Sequence, residues 1–193
     1  MDKNFFSQKV LMPLERWSRY GESTNSLDTR LIGHAPHIAP KAHVHVIYAP
    51  LDDMELKELT EEIGIPLPSQ YQSFLTFANG MSLFVGSIMV LGYVPSSASA
   101  SPHIYDYPRS VALLNVEMRI RGLNEGAAVV GRYTEGYGSY LSIEADGRAV
   151  RFDPKGNGSV SAEWPDFDTW LSSEIEDHDR AFLEQWTLDV SND

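Results

Sequence analysis

LDDMELKELTEEIGIPLPSQYQSFLTFANG, residues 51–80, is the stretch from which the fold is read. Asp52 and Glu55, three positions apart, have capping-box spacing, with Asp standing in for the usual Ser or Thr. Leu56, Leu59 and Ile63 then form an apolar stripe that stops at Gly64, so a helix is predicted. Ile65-Pro66-Leu67-Pro68 cannot prolong it, because each proline lacks an amide donor and restrains the residue before it. Ser69 is predicted to cap a second helix with Tyr71, Phe74, Leu75 and Ala78 inward, closed by Asn79-Gly80 as a left-handed C-cap. The product is a helix hairpin.

Beyond Gly80 the apolar period changes from helical to alternating. Leu83-Phe84-Val85 and Ile88-Met89-Val90-Leu91, separated by Gly86-Ser87, read as a hairpin or bulged strands. The tract PSSASASP, 95–102, reads as an exposed, mobile loop. A helix is predicted over 109–121, with Val111, Leu114 and Met118 inward and Gly122 as its stop. Residues 127–131, 140–143, 149–152 and 159–164 have strand character, and Asp146-Gly147 is a hairpin turn signal. Asp166 caps a last helix carrying Phe167, Trp170 and Leu171 and continuing through Ile175 to Leu183. Helices, then an antiparallel meander, then a helix give an α+β fold, a mainly antiparallel sheet flanked by helices, and not a doubly wound sheet.

Upstream, residues 1–45 read as an extension made of a helix and a linker, and 46–193 as the main domain with its acidic carboxy-terminal helix. Phe6, Val10, Leu14 and Trp17 mark a helix over about 5–20, which Pro13 is expected to kink or limit. Residues 21–40 read as irregular linker.

The composition excludes several function classes. The chain has no cysteine, which removes disulfides, thiolate metal sites and a cysteine nucleophile. Its amino terminus has no apolar run of signal-peptide length and no segment reaches the ~18 apolar residues of a membrane span, so it is read as cytoplasmic and without membrane contact. A net charge of −12 repels nucleic acid and favours a basic protein partner. Nine of those charges lie in 159–193, where ten acids face Arg180 alone, and 52–62 adds six acids against Lys57. Either run can equally be a solvated helix face.

Candidate chemistry is sparse. His34/His37 and His43/His45 are close pairs, and His43 and His45 at strand period two could share a face and a metal, or could be plain polar loop histidines. The run 131–139 is glycine-rich but precedes a strand, so it reads as a hairpin loop and not as a phosphate cradle. No GxxxxGK[ST] or GxSxG occurs. No catalytic residue, metal site or cofactor is therefore assigned. Tyr105, Tyr107, Tyr133, Tyr137 and Tyr140 fall in or beside loops, where amphipathic rings anchor protein interfaces.

The segment Glu62-Ile63-Gly64-Ile65-Pro66-Leu67-Pro68 followed by Tyr71, Phe74-Leu75 and Asn79-Gly80 resembles the amino-terminal signature of the SUKH superfamily, the Smi/Knr domain. Asn115, Val129-Val130-Gly131, Asp146-Gly147 and Phe167-Asp168-Thr169-Trp170-Leu171 agree in layout, so the resemblance covers roughly 50–172. Two positions depart from it: Met81 stands where a second glycine is frequent, and Leu91-Gly92-Tyr93 replaces a Leu-Tyr-Gly order. The resemblance implies a sheet flanked by helices without a shared catalytic constellation. Bacterial members look like immunity proteins that neutralise polymorphic toxins, often nucleases; fungal members look like regulators of cell-wall synthesis. Pro68, Tyr71, Leu75 and Asn79-Gly80 are carried over as architecture. The resulting expectation is a non-enzymatic module that binds a basic toxin domain, through Glu174, Glu176, Asp177 and Asp179 with Tyr105 and Tyr107 as anchors; the alternatives are a regulatory adaptor and a metal protein or enzyme using His43 and His45.

Overall fold

The computed structural model describes residues 1–98, 105–118, 120, 123–134, 138–153 and 158–190. The chain opens with one helical run built of α1 (Lys3–Phe5), a π-helical segment (Phe6–Leu11), α2 (Met12–Glu15) and a 3₁₀ segment (Arg16–Tyr20). Pro13 does not break it. The proline sits at the start of α2, where a missing amide is harmless, and the wider i→i+5 bonding just before it absorbs the mismatch.

Among the described residues, nine strands follow in one sheet, ordered as in the sequence and antiparallel at every junction. They are β1 (Glu22–Thr24), β2 (Arg30–His34), β3 (His43–Ile47), β4 (Met81–Leu83), β5 (Ile88–Val90), β6 (Ala128–Tyr133), β7 (Tyr140–Ile143), β8 (Ala149–Asp153) and β9 (Ser159–Trp164). Helices α3 (Asp53–Ile63) and α4 (Ser69–Leu75) come between β3 and β4, and α5 (Phe167–Val190) follows β9. The α+β class and the flanked antiparallel sheet expected from the pattern are thus the observed fold. Among the described residues, no helix is long and apolar enough to cross a membrane.

The linker expected over 21–40 is corrected. It carries β1 and β2, which pair with each other and with β3 and so extend the sheet. Glu22, Ser23 and Thr24 are all exposed, so β1 has no apolar alternation by which a strand is recognised.

The two faces of the sheet differ. Residues directly opposite in adjacent strands point to one side, so the row His45, Leu83, Ile88 and Tyr133 shares a face. That face meets the helices: Tyr133 Oη accepts from Trp170 Nε1 at 2.6 Å, and His45 lies edge-on to Trp17. Phe6 packs on Phe74 and Phe77 of the α4 region, and Trp17 on Phe182 and Trp186 of α5, so the amino-terminal helices close the core. The other row, Val46, Ser82, Met89, Arg132 and Tyr140, forms the second face.

Several local expectations hold and several change. The Asp52/Glu55 capping box is complete, and Gly64 ends α3 at φ +67°. Asp166 caps α5 by accepting from the Thr169 amide at 2.7 Å, and Gly147 turns the β7–β8 hairpin at φ +92°. Ser69, however, is the first residue of α4 and makes no capping bond; Pro68 precedes it as N-cap. Asn79-Gly80 is not a C-cap, since α4 ends at Leu75. The helix over 109–121 shrinks to a turn at 111–112 and a π-helical segment, Leu113–Glu117, leaving Met118 exposed. Asn115 explains this: its amide bonds both Val111 O and Val129 O, and its Oδ1 accepts the Val129 amide, tying the segment to β6. Gly122, Tyr137 and the second half of the Ser/Ala tract, 99–102, lie outside the described residues; Ser96–Ala98 forms a 3₁₀ turn.

The β4–β5 turn is longer than Gly86-Ser87. Phe84, Val85 and Gly86 are left-handed in succession, at φ +51°, +55° and +83°. Phe84 is buried against His45 and Phe182, which compensates its strain, whereas Val85 is only half-buried and β-branched. Val85→Asn is expected to raise stability by about 1 kcal/mol, because Asn tolerates this region. A denaturant midpoint that falls instead would show that the lost valine packing outweighs the relieved strain.

Candidate functional site

The open face of the sheet carries a cleft of about 350 Å³. Tyr48, Ser82 and Met89 line it from the sheet, and Tyr105, Tyr107, Pro108 and Arg109 from the segment that follows the Ser/Ala tract. Sequence distance hides this: Tyr48 follows the end of β3, Ser82 and Met89 are the central residues of β4 and β5, and the wall comes from a loop. The wall is held at both ends. Tyr105 Oη donates to Lys41 O at 2.8 Å, and Asn25 Nδ2 donates to Tyr105 O at 3.1 Å. At the other end the Gly92 amide donates to Arg109 O, and the Val111 amide to Gly92 O, each at 2.9 Å. Residues 25 and 41, from the amino-terminal extension, therefore take part in building the cleft.

Burial pushes the Tyr48 hydroxyl up to about 12, raised further by Tyr105 and opposed by the Arg109 charge, so these three polar groups converge. Arg109 is exposed and makes no ion pair among the described residues. Arg132 stands directly opposite Met89, one strand beyond the cleft, and its Nε is buried without a hydrogen-bond partner.

Of the four acids expected to line an exposed helix face, two do and two do not. Glu176 and Asp177 are exposed, forming only surface contacts with Arg180. Glu174 and Asp179 point inward, at 8% and 4% exposure, and are corrected from surface groups to structural ones. Asp179 binds Arg16 and accepts from Trp17 Nε1 at 2.8 Å, fastening α5 to the amino-terminal helices. Glu174 lies 3.3 Å from His178 and beside Tyr133; burial raises its carboxyl pKa against the opposing pull of His178, Tyr133 and Arg151. The helical period explains the split, since 174 and 179 fall on the stripe of Trp170, Leu171 and Ile175. Asp179→Ala is expected to cost about 2–3 kcal/mol, because the buried Trp17 N–H loses its acceptor; chemical unfolding measures it. Asp52, Asp53, Glu58, Glu61 and Glu62 of the α3 region are exposed, as a solvated acidic face requires.

The histidine pairs do not assemble a metal centre. His45 is sealed between Trp17 and Phe84, whereas His43 meets His34 and Tyr105, so the two imidazoles share no ring neighbour. No group of three or more His, Asp or Glu able to hold a metal occurs among the described residues. His37 packs on Trp186. A second hollow, about 700 Å³, lies between Pro66-Leu67-Pro68 and the β7–β8 turn. Its acids Glu144, Asp146 and Asp166 are already committed, to Asn124 and Ser142, to Arg148, and to the Thr169 amide.

Comparison with curated proteins gives no match. The model of the SMI1 / KNR4 family (SUKH-1) matches residues 50–173, which spans α3 through the first two turns of α5. With the capping box, the Ile-Pro-Leu-Pro break, the Asn79-Gly80 pair and the closing helix all in place on one antiparallel sheet, the chain belongs to the SMI1 / KNR4 family (SUKH-1).

Proposed function

We propose that this protein is a non-enzymatic binding module, an immunity protein that neutralises a basic toxin domain inside the cell that makes it. Family membership over 50–173 carries the reading. The charge distribution supports it, because Glu176 and Asp177 on α5 and the exposed acids of α3 present two local acidic faces to a basic partner. We take residues 46–193 as the family domain and 1–45 as an extension built onto one side of its sheet. The tyrosines Tyr105 and Tyr107 remain candidate anchors at the rim of the cleft.

The test is association of the purified protein with the toxin domain encoded beside it. Inhibition of that toxin is expected, with an on-rate that falls as salt rises. Glu176→Lys with Asp177→Lys is expected to slow association about tenfold at low salt and to leave the fold unchanged, since both side chains are exposed. A toxin that stays fully active when bound, or one that does not bind, would remove the immunity reading in favour of a regulatory adaptor.

A further inference from the structure

We propose that the cleft between the open sheet face and residues 105–109 binds a small planar anion of nucleoside-monophosphate size, its ring against the tyrosines and its phosphate on Arg109. The volume, about 350 Å³, sits at the lower end of ligand pockets, so it admits one ring system with one anionic group and excludes a dinucleotide. Tyr105, Tyr107 and Pro108 supply flat apolar surface on which any base stacks, and Ser82 with Tyr48 supplies hydroxyls beneath it.

The charge pattern selects the anion. In a chain with 27 acids against 15 bases, Arg16, Arg30, Arg148 and Arg180 each pair with a carboxylate. Arg109 and Arg132, like Arg19 and Arg151 over their tyrosine rings, carry no ion pair among the described residues, and of these four Arg109 and Arg132 lie together on one sheet face, in the cleft and beside it. A guanidinium presents a planar fork of donors that matches phosphate oxygens. The wall is also pinned in advance by Lys41, Asn25 and Gly92, so little ordering opposes binding. The acidic faces on α3 and α5 do not contribute to the cleft lining, which contains no carboxylate among its described residues.

Calorimetry of the full chain with adenosine monophosphate, adenosine and inorganic phosphate tests this site independently of any toxin. Adenosine monophosphate is expected to bind saturably, with adenosine and phosphate each at least about tenfold weaker, since each lacks half of the contacts. Arg109→Met is expected to weaken the nucleotide about tenfold or more while leaving adenosine unchanged, and Tyr107→Leu to weaken both. Arg109 is exposed, so its variant keeps the wild-type denaturant midpoint. No saturable binding at millimolar nucleotide, or equal affinity in Arg109→Met, would overturn the proposal and leave the immunity reading untouched.

Discussion

Gly92→Ala is expected to destabilise the protein by more than about 3 kcal/mol, the largest effect of any single methyl group here. A Cβ at this position would lie 2.4 Å from Asn79 O, 2.5 Å from Asn79 Oδ1 and 2.7 Å from Pro108 Cγ. Two of these three atoms belong to a clamp that cannot yield. Asn79 Oδ1 accepts the Tyr93 amide at 2.6 Å and Asn79 Nδ2 donates to Tyr93 O at 2.9 Å, both buried, as a strand would pair but with one side chain. Tyr71 Oη donates to the neighbouring Leu91 O at 2.8 Å. Pushing Asn79 away would strand the Tyr93 amide and carbonyl without water, and would displace Arg109, whose carbonyl accepts from the Gly92 amide. Gly64→Ala is the control. Its left-handed φ of +67° costs about 1 kcal/mol, but no atom lies within 4 Å of the added carbon. Guanidinium unfolding of both variants separates the terms: equal losses would show that the clamp relaxes around the methyl group.

That pair of glycines also marks how far a sequence can be read. Gly64 ends a helix, a role visible from the stripe Leu56, Leu59 and Ile63 before it, because capping is decided within one turn of chain. Gly92 and Asn79 act on each other across thirteen residues, and neither position has a local cue to that meeting. The strands from β4 to β9 were legible as short runs of strand character bounded by turn signals, most of them with buried residues, whereas β1, polar throughout, exists only because β2 pairs with it. For the cleft, Tyr105 and Tyr107 could be picked out as aromatic residues in a loop. Tyr48, Ser82 and Met89 could not, since their convergence depends on the register of β3, β4 and β5. The acids of α5 were legible as a charge run, but which of them faced inward required the helix phase fixed by Trp170 and Leu171. Helical period was available in the sequence for that purpose, and applying it to 174 and 179 would have placed both on the buried stripe.

Acid is expected to unfold this protein well above the ordinary carboxylate range, with His45 as a principal cause. Its ring is fully buried; burial holds its pKa down to about 3, against an ordinary 6.5. Nδ1 faces the Phe84 amide at 3.4 Å and so acts as acceptor, which places the proton of the neutral ring on Nε2, an atom with no hydrogen-bond partner. A charged imidazolium would sit between Trp17 and Phe84 without a counter-ion. Below pH 6.5 the unfolded chain therefore gains a proton that the native state refuses, and stability is lost from there down towards pH 3. The slope is one proton, about 1.4 kcal/mol per pH unit, hence about 3 kcal/mol between pH 6.5 and 4. Glu174 and Asp168 act in the opposite sense, because burial raises both carboxyls and their protonation favours the native state as pH falls. The comparison that isolates His45 is His45→Phe, which removes the titration and the unpaired Nε2 together. Its unfolding free energy is expected to lose less than the wild type's between pH 6.5 and 4 by about 3 kcal/mol. Parallel curves for the two proteins would place the acid sensitivity elsewhere and show that the buried ring finds a way to hold its proton.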